Sequence, residues 1–196
     1  MLQPVYALLE TPRGYQVSQL LGFPTIHRYR AFVRKYVPNE PTRRVLEIGC
    51  GVASNRELFS PEYTGIDINP DYIKSAERHK SGRFHVMDAA KMTFRHDTFD
   101  DAVTIATTHH LDDAQLGATV ANAVLVARKL HVIDAILPLS PSAHFKRAWF
   151  LMDRGRFART FDDLQDVVSR SARIEHRETV TGPLHDVCYI RATRPG

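Results

Sequence analysis

Glu47, Gly49, Gly51 and Asp67 are the residues whose types and spacing could do chemistry together. The first three lie in Arg44-Val45-Leu46-Glu47-Ile48-Gly49-Cys50-Gly51-Val52-Ala53-Ser54. Val45, Leu46 and Ile48 read as a buried strand that runs into a glycine turn and then a helix. A helix beginning there would present free N–H groups to an anionic group. Asp67 follows Gly49 at roughly the 20-residue spacing of an acidic side chain that closes the next strand and holds ribose hydroxyls. Together they predict a site for a nucleoside-carrying cofactor.

A dinucleotide fingerprint asks for Gly-x-Gly-x-x-Gly or Ala, whereas Ser54 holds the last position here. Further motifs follow in order: Tyr63-Thr64-Gly65-Ile66-Asp67-Ile68, Phe84-His85-Val86-Met87-Asp88-Ala89, and Phe99-Asp100-Asp101-Ala102-Val103. With the glycine turn, this series resembles the class I S-adenosylmethionine-dependent methyltransferases, specifically the small-molecule "type 11" group. The resemblance spans Arg44 to Asp134, with a looser match to the C-terminus. It implies that Glu47 and the Gly49-Cys50-Gly51 backbone lie near the methionine moiety, and that Asp67 holds the ribose. By the same resemblance Asp88 meets the adenine amino group, Ile68 packs on the adenine face, and the Ala89 N–H meets a ring nitrogen. Thr107, ending strand four, completes the expected cofactor-binding set. Ala53 departs from the third glycine that many members carry, and Arg128-Lys129-Leu130 stands where many have a Pro-Gly-Gly turn.

In methyl transfer from a sulfonium the cofactor supplies the electrophile, so the protein must align an acceptor and, where needed, take its proton. His109 and His110 follow strand four and are the candidate catalytic residues, because imidazole is matched to proton removal near neutral pH. The alternative is that they only brace the loop. Asp134 is a second candidate. Arg154, Arg156 or Arg159 could pair with an anionic substrate or belong to a solvated turn. None of the ten histidines has metal-site spacing with cysteines, so no metal is expected.

The elements that must place these residues alternate between strand and helix. The expected strands are Arg44–Ile48, Tyr63–Ile68, Phe84–Met87, Ala102–Thr107, Leu130–Leu137, and an antiparallel pair near Arg173–Val180 and Asp186–Ala192. Helices are expected to Phe59, from Asn69-Pro70 to His79, from Asp112 or Asp113, over His144–Met152, and from Thr160. Thr25 is expected to cap an earlier helix whose apolar stripe is Ile26, Tyr29, Phe32, Val33 and Tyr36. This pattern predicts an α/β fold: a Rossmann-like, seven-stranded, mostly parallel sheet with an antiparallel C-terminal hairpin and helices on both faces. Gly49, Asp67, Asp88, Thr107 and Asp134 all fall at strand carboxyl ends, where such sheets bind ligands.

At 196 residues, the chain reads as one domain, with 1–41 an N-terminal helical lid and 42–196 the Rossmann-like core. In the resembling family such early helices cover the cofactor, which makes Tyr6, Tyr15, His27 and Tyr29 candidate lid contacts. Hydrophobic content of 43% against 24% charged residues fits a soluble globular chain. Pro4, Glu10 and Arg13 interrupt any signal-type apolar block, and no run reaches membrane-span length. Cys50 and Cys188 make no disulfide framework and read as small buried residues, so a cytoplasmic setting is expected. The net charge of +4 is densest at Arg28, Arg30, Arg34, Lys35, Arg43 and Arg44. A solvated helix face accounts for that cluster better than a nucleic-acid surface, which normally adds stacking aromatics.

The expected function is therefore methyl transfer to a small metabolite. RNA or protein methylation, and a non-methylating S-adenosylmethionine-binding protein, are the alternatives. Thr107-Thr108-His109-His110 replaces the Asn/Asp-Pro-Pro-aromatic signature of base and glutamine N-methylation, which counts against that branch. The acceptor atom and the oligomeric state are not written in the sequence.

Overall fold

The computed structural model describes residues 23–140, 143, 144, 146 and 156–196. Its elements in chain order are α1 (Phe23–Tyr36), β1 (Val45–Ile48), β2 (Tyr63–Asp67), α2 (Pro70–His79), β3 (Arg83–Val86) and β4 (Phe99–Ile105). There follow α3 (Asp113–Val126), β5 (Ala127–Ile136), α4 (Phe161–Ser169), β6 (Arg173–Val180) and β7 (Asp186–Thr193). The sheet order is β3-β2-β1-β4-β5-β7-β6. β1 to β5 are parallel to their neighbours, and β7 runs antiparallel to both β5 and β6. This is the expected Rossmann-like sheet.

Strand alternation sends side chains to two separate cores. Leu46, Ile48, Ile66, Leu130 and Ile190 face α3 and α4. Val45, Tyr63, Val103, Ile133 and Tyr189 face α1 and α2. Because both faces are covered, β1 and β4 are buried along nearly their whole length, as parallel strands require. The expected stripe of α1 packs on the sheet, with Tyr29, Phe32 and Val33 buried. Residues 1–22 of the expected lid, with Tyr6 and Tyr15, lie outside the described residues, as does most of the expected helix over His144–Met152.

The helix ends follow local chemistry. Asn69 accepts hydrogen bonds from the Asp71 and Tyr72 amides ahead of Pro70. Asp112 with Gln115, and Thr160 with Asp163, form reciprocal capping boxes for α3 and α4.

Several boundaries differ from the sequence expectation. The glycine turn does not enter an α-helix. Ala53 has a left-handed φ of 56° and Phe59 is already extended, which leaves room only for the 3₁₀ turn Arg56–Leu58. β1 begins at Val45 and β2 stops at Asp67, each one residue short of expectation. β4 starts at Phe99 and ends at Ile105, because Asp101 lies inside the sheet with its charge compensated there. Ala127 is at once the C-cap of α3 and the first residue of β5, so no linking turn exists and β5 runs from Ala127 to Ile136. Thr25 lies within α1 instead of capping it, and its hydroxyl meets His185 Nδ1 at 3.0 Å.

The basic cluster is largely tied into the fold. Arg43 Nε donates to Asp101 Oδ2 at 2.5 Å, and His131 Nε2 lies 2.9 Å from Asp101 Oδ1. His131 Nδ1 meets the Tyr189 hydroxyl at 2.9 Å, and the Tyr189 ring stacks on Tyr36 at 4.1 Å. Burial lowers the His131 pKa. It also pushes Asp101 upward, but hydrogen bonds from His131 and Arg43 leave that carboxyl below its usual range. Arg44 grips Asp100 with both guanidinium and backbone N–H, holding that carboxyl at about 2. Lys35 pairs with Glu178 at 2.8 Å, and Arg30 donates to the Ser54 carbonyl at 2.8 Å.

Asp101→Asn removes the one negative charge between Arg43 and His131. It should cost about 3 kcal/mol of stability, the scale for breaking a buried ion pair. Urea denaturation at pH 7 reads this, and a loss below about 1 kcal/mol would show that solvent already screens the pair.

Candidate active site

The strand order reverses between β1 and β4, which opens a crevice above their carboxyl ends. Gly49 turns the chain there with φ 70°, and Gly51 follows at 55°. A Cβ on Gly49 would stand 2.5 Å from Thr107 Cγ2 and 2.6 Å from Thr107 Oγ1. Only glycine fits that approach. Thr107 Oγ1 donates to the Ile105 carbonyl at 3.0 Å, which fixes the hydroxyl against the turn.

The turn's amides are committed internally. Gly49 and Cys50 N–H donate to the Ile66 carbonyl at 2.8 and 2.9 Å, and Gly51 N–H donates to Asp67 Oδ2 at 2.9 Å. The Cys50 side chain is buried over Gly65, where a Cβ would lie 2.8 Å from its Sγ. Burial pushes its thiol pKa far up. The anion-binding helix N-terminus expected from the sequence is therefore absent, and Asp67 fastens the turn to β2 instead. Asp67 Oδ1 also accepts from Asn69 N–H at 2.9 Å. Burial raises its pKa more than these backbone bonds lower it.

Ile68 exposes 71% of its surface directly after Asp67. An aliphatic side chain left this bare beside a carboxylate forms a platform for an apolar ring. The ends of β2 and β3 are joined by the Met87 N–H to Asp67 carbonyl bond of 2.9 Å, which brings Asp88 and Ala89 to the same rim. Asp88 Oδ1 accepts from Ala90 N–H at 2.9 Å, and its side chain is 42% exposed.

Glu47 sits beneath the turn with 2% exposure. Its Oε2 accepts from the Tyr63 hydroxyl at 2.5 Å and its Oε1 from Asn55 Nδ2 at 3.4 Å. Burial raises its pKa to about 7, and those two hydrogen bonds only partly oppose the shift. Asn55 and Tyr63 were not singled out from the sequence, because they reach Glu47 across 8 and 16 residues through folds of the chain.

The histidines divide. His109 is buried, and its Nδ1 meets Asp134 Oδ1 at 2.7 Å. Asp134 Oδ2 accepts from Thr108 N–H at 2.7 Å and from Thr108 Oγ1 at 2.6 Å, and Oδ1 accepts from Ala135 N–H at 2.7 Å. Burial pushes the Asp134 pKa up, but the attraction of His109 and these hydrogen bonds leave the carboxyl below its usual range. It is a fully enclosed brace, unsuited to proton removal near neutral pH. His110 is exposed at the rim, its N–H donating to the Thr107 carbonyl at 3.0 Å.

Arg159, offered by the sequence as a substrate contact, is instead buried and bonded to Asp113, Thr108, Leu111 and Phe157. Arg156 is exposed and lines a cavity of about 450 Å³ with Asp113, Phe157 and Arg170. None of the expected cofactor residues lines it. Arg154 lies outside the described residues. Among the described residues, no group of three histidines, cysteines or carboxylates could hold a metal ion.

Residues 45–129 match the family model described as a methyltransferase domain. Solved structures share the fold. The YcgJ protein from Bacillus subtilis superposes with a TM-score of 0.69 at 16% identity, covering 87% of this chain and 100% of its own. A SAM-dependent methyltransferase from Methanosarcina mazei gives 0.64 at 20% identity, with coverages of 88% and 98%. The [4+2]-cyclase SpnF gives 0.69 at 14%, with coverages of 86% and 80%. No curated protein matches the chain in sequence. S-adenosylmethionine is the cofactor of this family, and the site fits it: a turn that admits no Cβ, a bare aliphatic platform and two carboxylates on adjoining strand ends.

Asp67→Ala should weaken S-adenosylhomocysteine binding 10- to 100-fold, through loss of charge-assisted bonds worth roughly 1.5–3 kcal/mol. Calorimetry giving unchanged affinity would overturn the ribose assignment. Glu47 yields a second expectation. Its folded value near 7 exceeds the ordinary 4.5, so the folded chain keeps a proton that the unfolded chain releases between those values. That stabilisation is complete below pH 4.5 and is lost as pH rises through 7, about 3 kcal/mol in all. Glu47→Gln should flatten this slope in urea titrations of the apo protein, and parallel slopes for the two proteins would refute it.

Proposed function

We propose that this chain, whose residues 45–129 match the model of a methyltransferase domain, is a class I S-adenosylmethionine-dependent methyltransferase whose acceptor is a small molecule. The pairing of the basic residues carries this reading. Lys35, Arg43 and Arg44 are engaged by Glu178, Asp101 and Asp100, and Arg30 by the Ser54 carbonyl. A surface that tracks phosphates needs cations free to replace counterions, and these four are occupied. No described helix is long and apolar enough to cross a membrane. Two buried free cysteines fit a reducing, cytoplasmic setting.

Gly49 and Gly51, with Glu47 beneath them, would hold the methionine end of the cofactor. Cys50 contributes backbone only, and Thr107 closes the turn from β4. Asp67 would take the ribose, with Ile68, Asp88 and Ala89 framing the adenine. When bound, the cofactor supplies an electrophilic methyl group on sulfur. The chain's own task is to align the acceptor and receive its proton. His110 is the exposed imidazole at the end of β4 and would take that proton from a hydroxyl or ammonium acceptor. His109, held by Asp134, keeps the turn beneath it in place.

The test incubates the protein with methyl-labelled cofactor and a fractionated extract of its source cells. Label in the small-molecule fraction is expected. Label in RNA or protein would overturn the reading in favour of a macromolecular substrate. No label despite demonstrated cofactor binding would favour a non-methylating protein. With the acceptor found, His110→Ala should lower kcat by about 10²- to 10⁴-fold and remove the acidic limb of its pH profile. An unchanged profile would remove His110 from the chemistry.

A further inference from the structure

A guanidinium has five N–H donors in one rigid plane, and a buried one must satisfy them all. Arg159 does so on Thr108, Leu111, Asp113 and Phe157. Nε and one Nη2 hydrogen go to Asp113 Oδ1 at 3.0 and 2.7 Å. The other Nη2 hydrogen goes to the Leu111 carbonyl at 2.7 Å. Nη1 donates to the Thr108 carbonyl at 2.9 Å and the Phe157 carbonyl at 3.3 Å. Thr108 opens the 3₁₀ turn Thr108–His110, and Leu111 is its C-cap, so one side chain grips both ends of the turn that bears the histidines.

The same residue reaches in two further directions. Its carbonyl accepts from Leu137 N–H at 2.8 Å, just past the end of β5, and Asp113 is the first residue of α3. Two residues earlier, Phe157 N–H donates to the His109 carbonyl at 3.0 Å. Asp134 holds the Thr108 and His109 donors, while Arg159 holds the carbonyls at the two ends of the turn. His110, the last residue of the turn, is exposed.

We propose that Arg159 is a positioning residue for methyl transfer, fixing the Thr108–His110 turn so that His110 faces the acceptor. The inference rests on the proton-accepting role given to His110 above. Reacting groups must be aligned closely, and a displacement of about 1 Å can cost 10²-fold in rate. The turn is a single 3₁₀ turn closed by the His110 N–H to Thr107 and Leu111 N–H to Thr108 carbonyl bonds, so the side-chain bonds of Arg159 and Asp134 add to its stiffness. Lysine cannot take over, because an ammonium has three donors on a flexible stem and cannot span both carbonyls and Asp113 in one plane.

The test compares wild type, Arg159→Lys and Arg159→Ala, the last with and without added guanidinium ion. Both variants should lower kcat about 10- to 100-fold, while S-adenosylhomocysteine affinity stays within about twofold. Guanidinium should restore part of kcat in Arg159→Ala and none in Arg159→Lys. The His110 ring resonance, followed by NMR, should move in both variants and return with guanidinium in Arg159→Ala. If Arg159→Ala does not fold, Arg159→Lys decides by kcat and resonance alone. A lysine variant with wild-type kcat and an unmoved resonance overturns the proposal, as does a fall in cofactor affinity that tracks kcat. If wild type labels no small molecule, the proposed function fails, whereas the His110 resonance still decides the role of Arg159.

Discussion

The approach of Thr107 to Gly49 is the constraint on which the cleft depends. The carboxyl ends of β1 and β4 come so close that a Cβ on Gly49 would lie 2.5 Å from the threonine methyl. With no side chain in the way, the chain reverses with φ 70° and returns its amides to Ile66 on β2. Everything at the rim inherits its position from this reversal. Asp67 reaches back to Gly51, Ile68 is left bare, and the turn after Thr107 starts where β4 must part from β1. Any L side chain at Gly49 would have to adopt a left-handed φ and displace the Thr107 side chain.

Buried carboxyls then divide by charge state according to what surrounds them. Asp101, Asp134 and Asp186 are each almost fully enclosed, yet all three stay below the ordinary carboxyl range. Arg43 and His131 compensate the first, and Thr108, His109 and Ala135 the second. Asp186 accepts from Leu139 N–H, Lys146 and Gly182 N–H. Glu47 has only two neutral donors and neighbouring acids, so burial prevails and it titrates near 7. Three ionised carboxylates pin the sheet and loops, and the fourth is the one whose charge can change at physiological pH.

The site itself was only partly legible in the sequence. Gly49, Gly51, Asp67 and Asp88 stand at strand ends because apolar strands with glycine or acidic terminations have a recognisable pattern. The helix after the turn misled, since Val52 to Phe59 has acceptable helical composition and nothing in it announces the left-handed Ala53. β4 starts at Phe99, ahead of the expected Ala102, because Asp100 and Asp101 enter the sheet only with charge partners supplied by folding. Their partners, Arg44, Arg43 and His131, lie 56, 58 and 30 residues away. Arg159 looked like a surface cation for the same reason, its carboxylate partner being 46 residues distant.

The sequence by itself determined the order of the seven strands, the caps on α2 and α4, and the acidic residues that end β2 and follow β3. These follow from apolar periodicity and short-range hydrogen bonding, which act within a few residues of one chain. Only the tertiary structure decided which polar side chains face the cleft and which are locked inside. That choice separated exposed His110 from buried His109, turned Asp134 into a brace, and closed the five donors of Arg159 on Thr108, Leu111, Asp113 and Phe157. The physical reason is that burial of a charge depends on partners brought together by folding, and such partners leave no periodic trace along the chain.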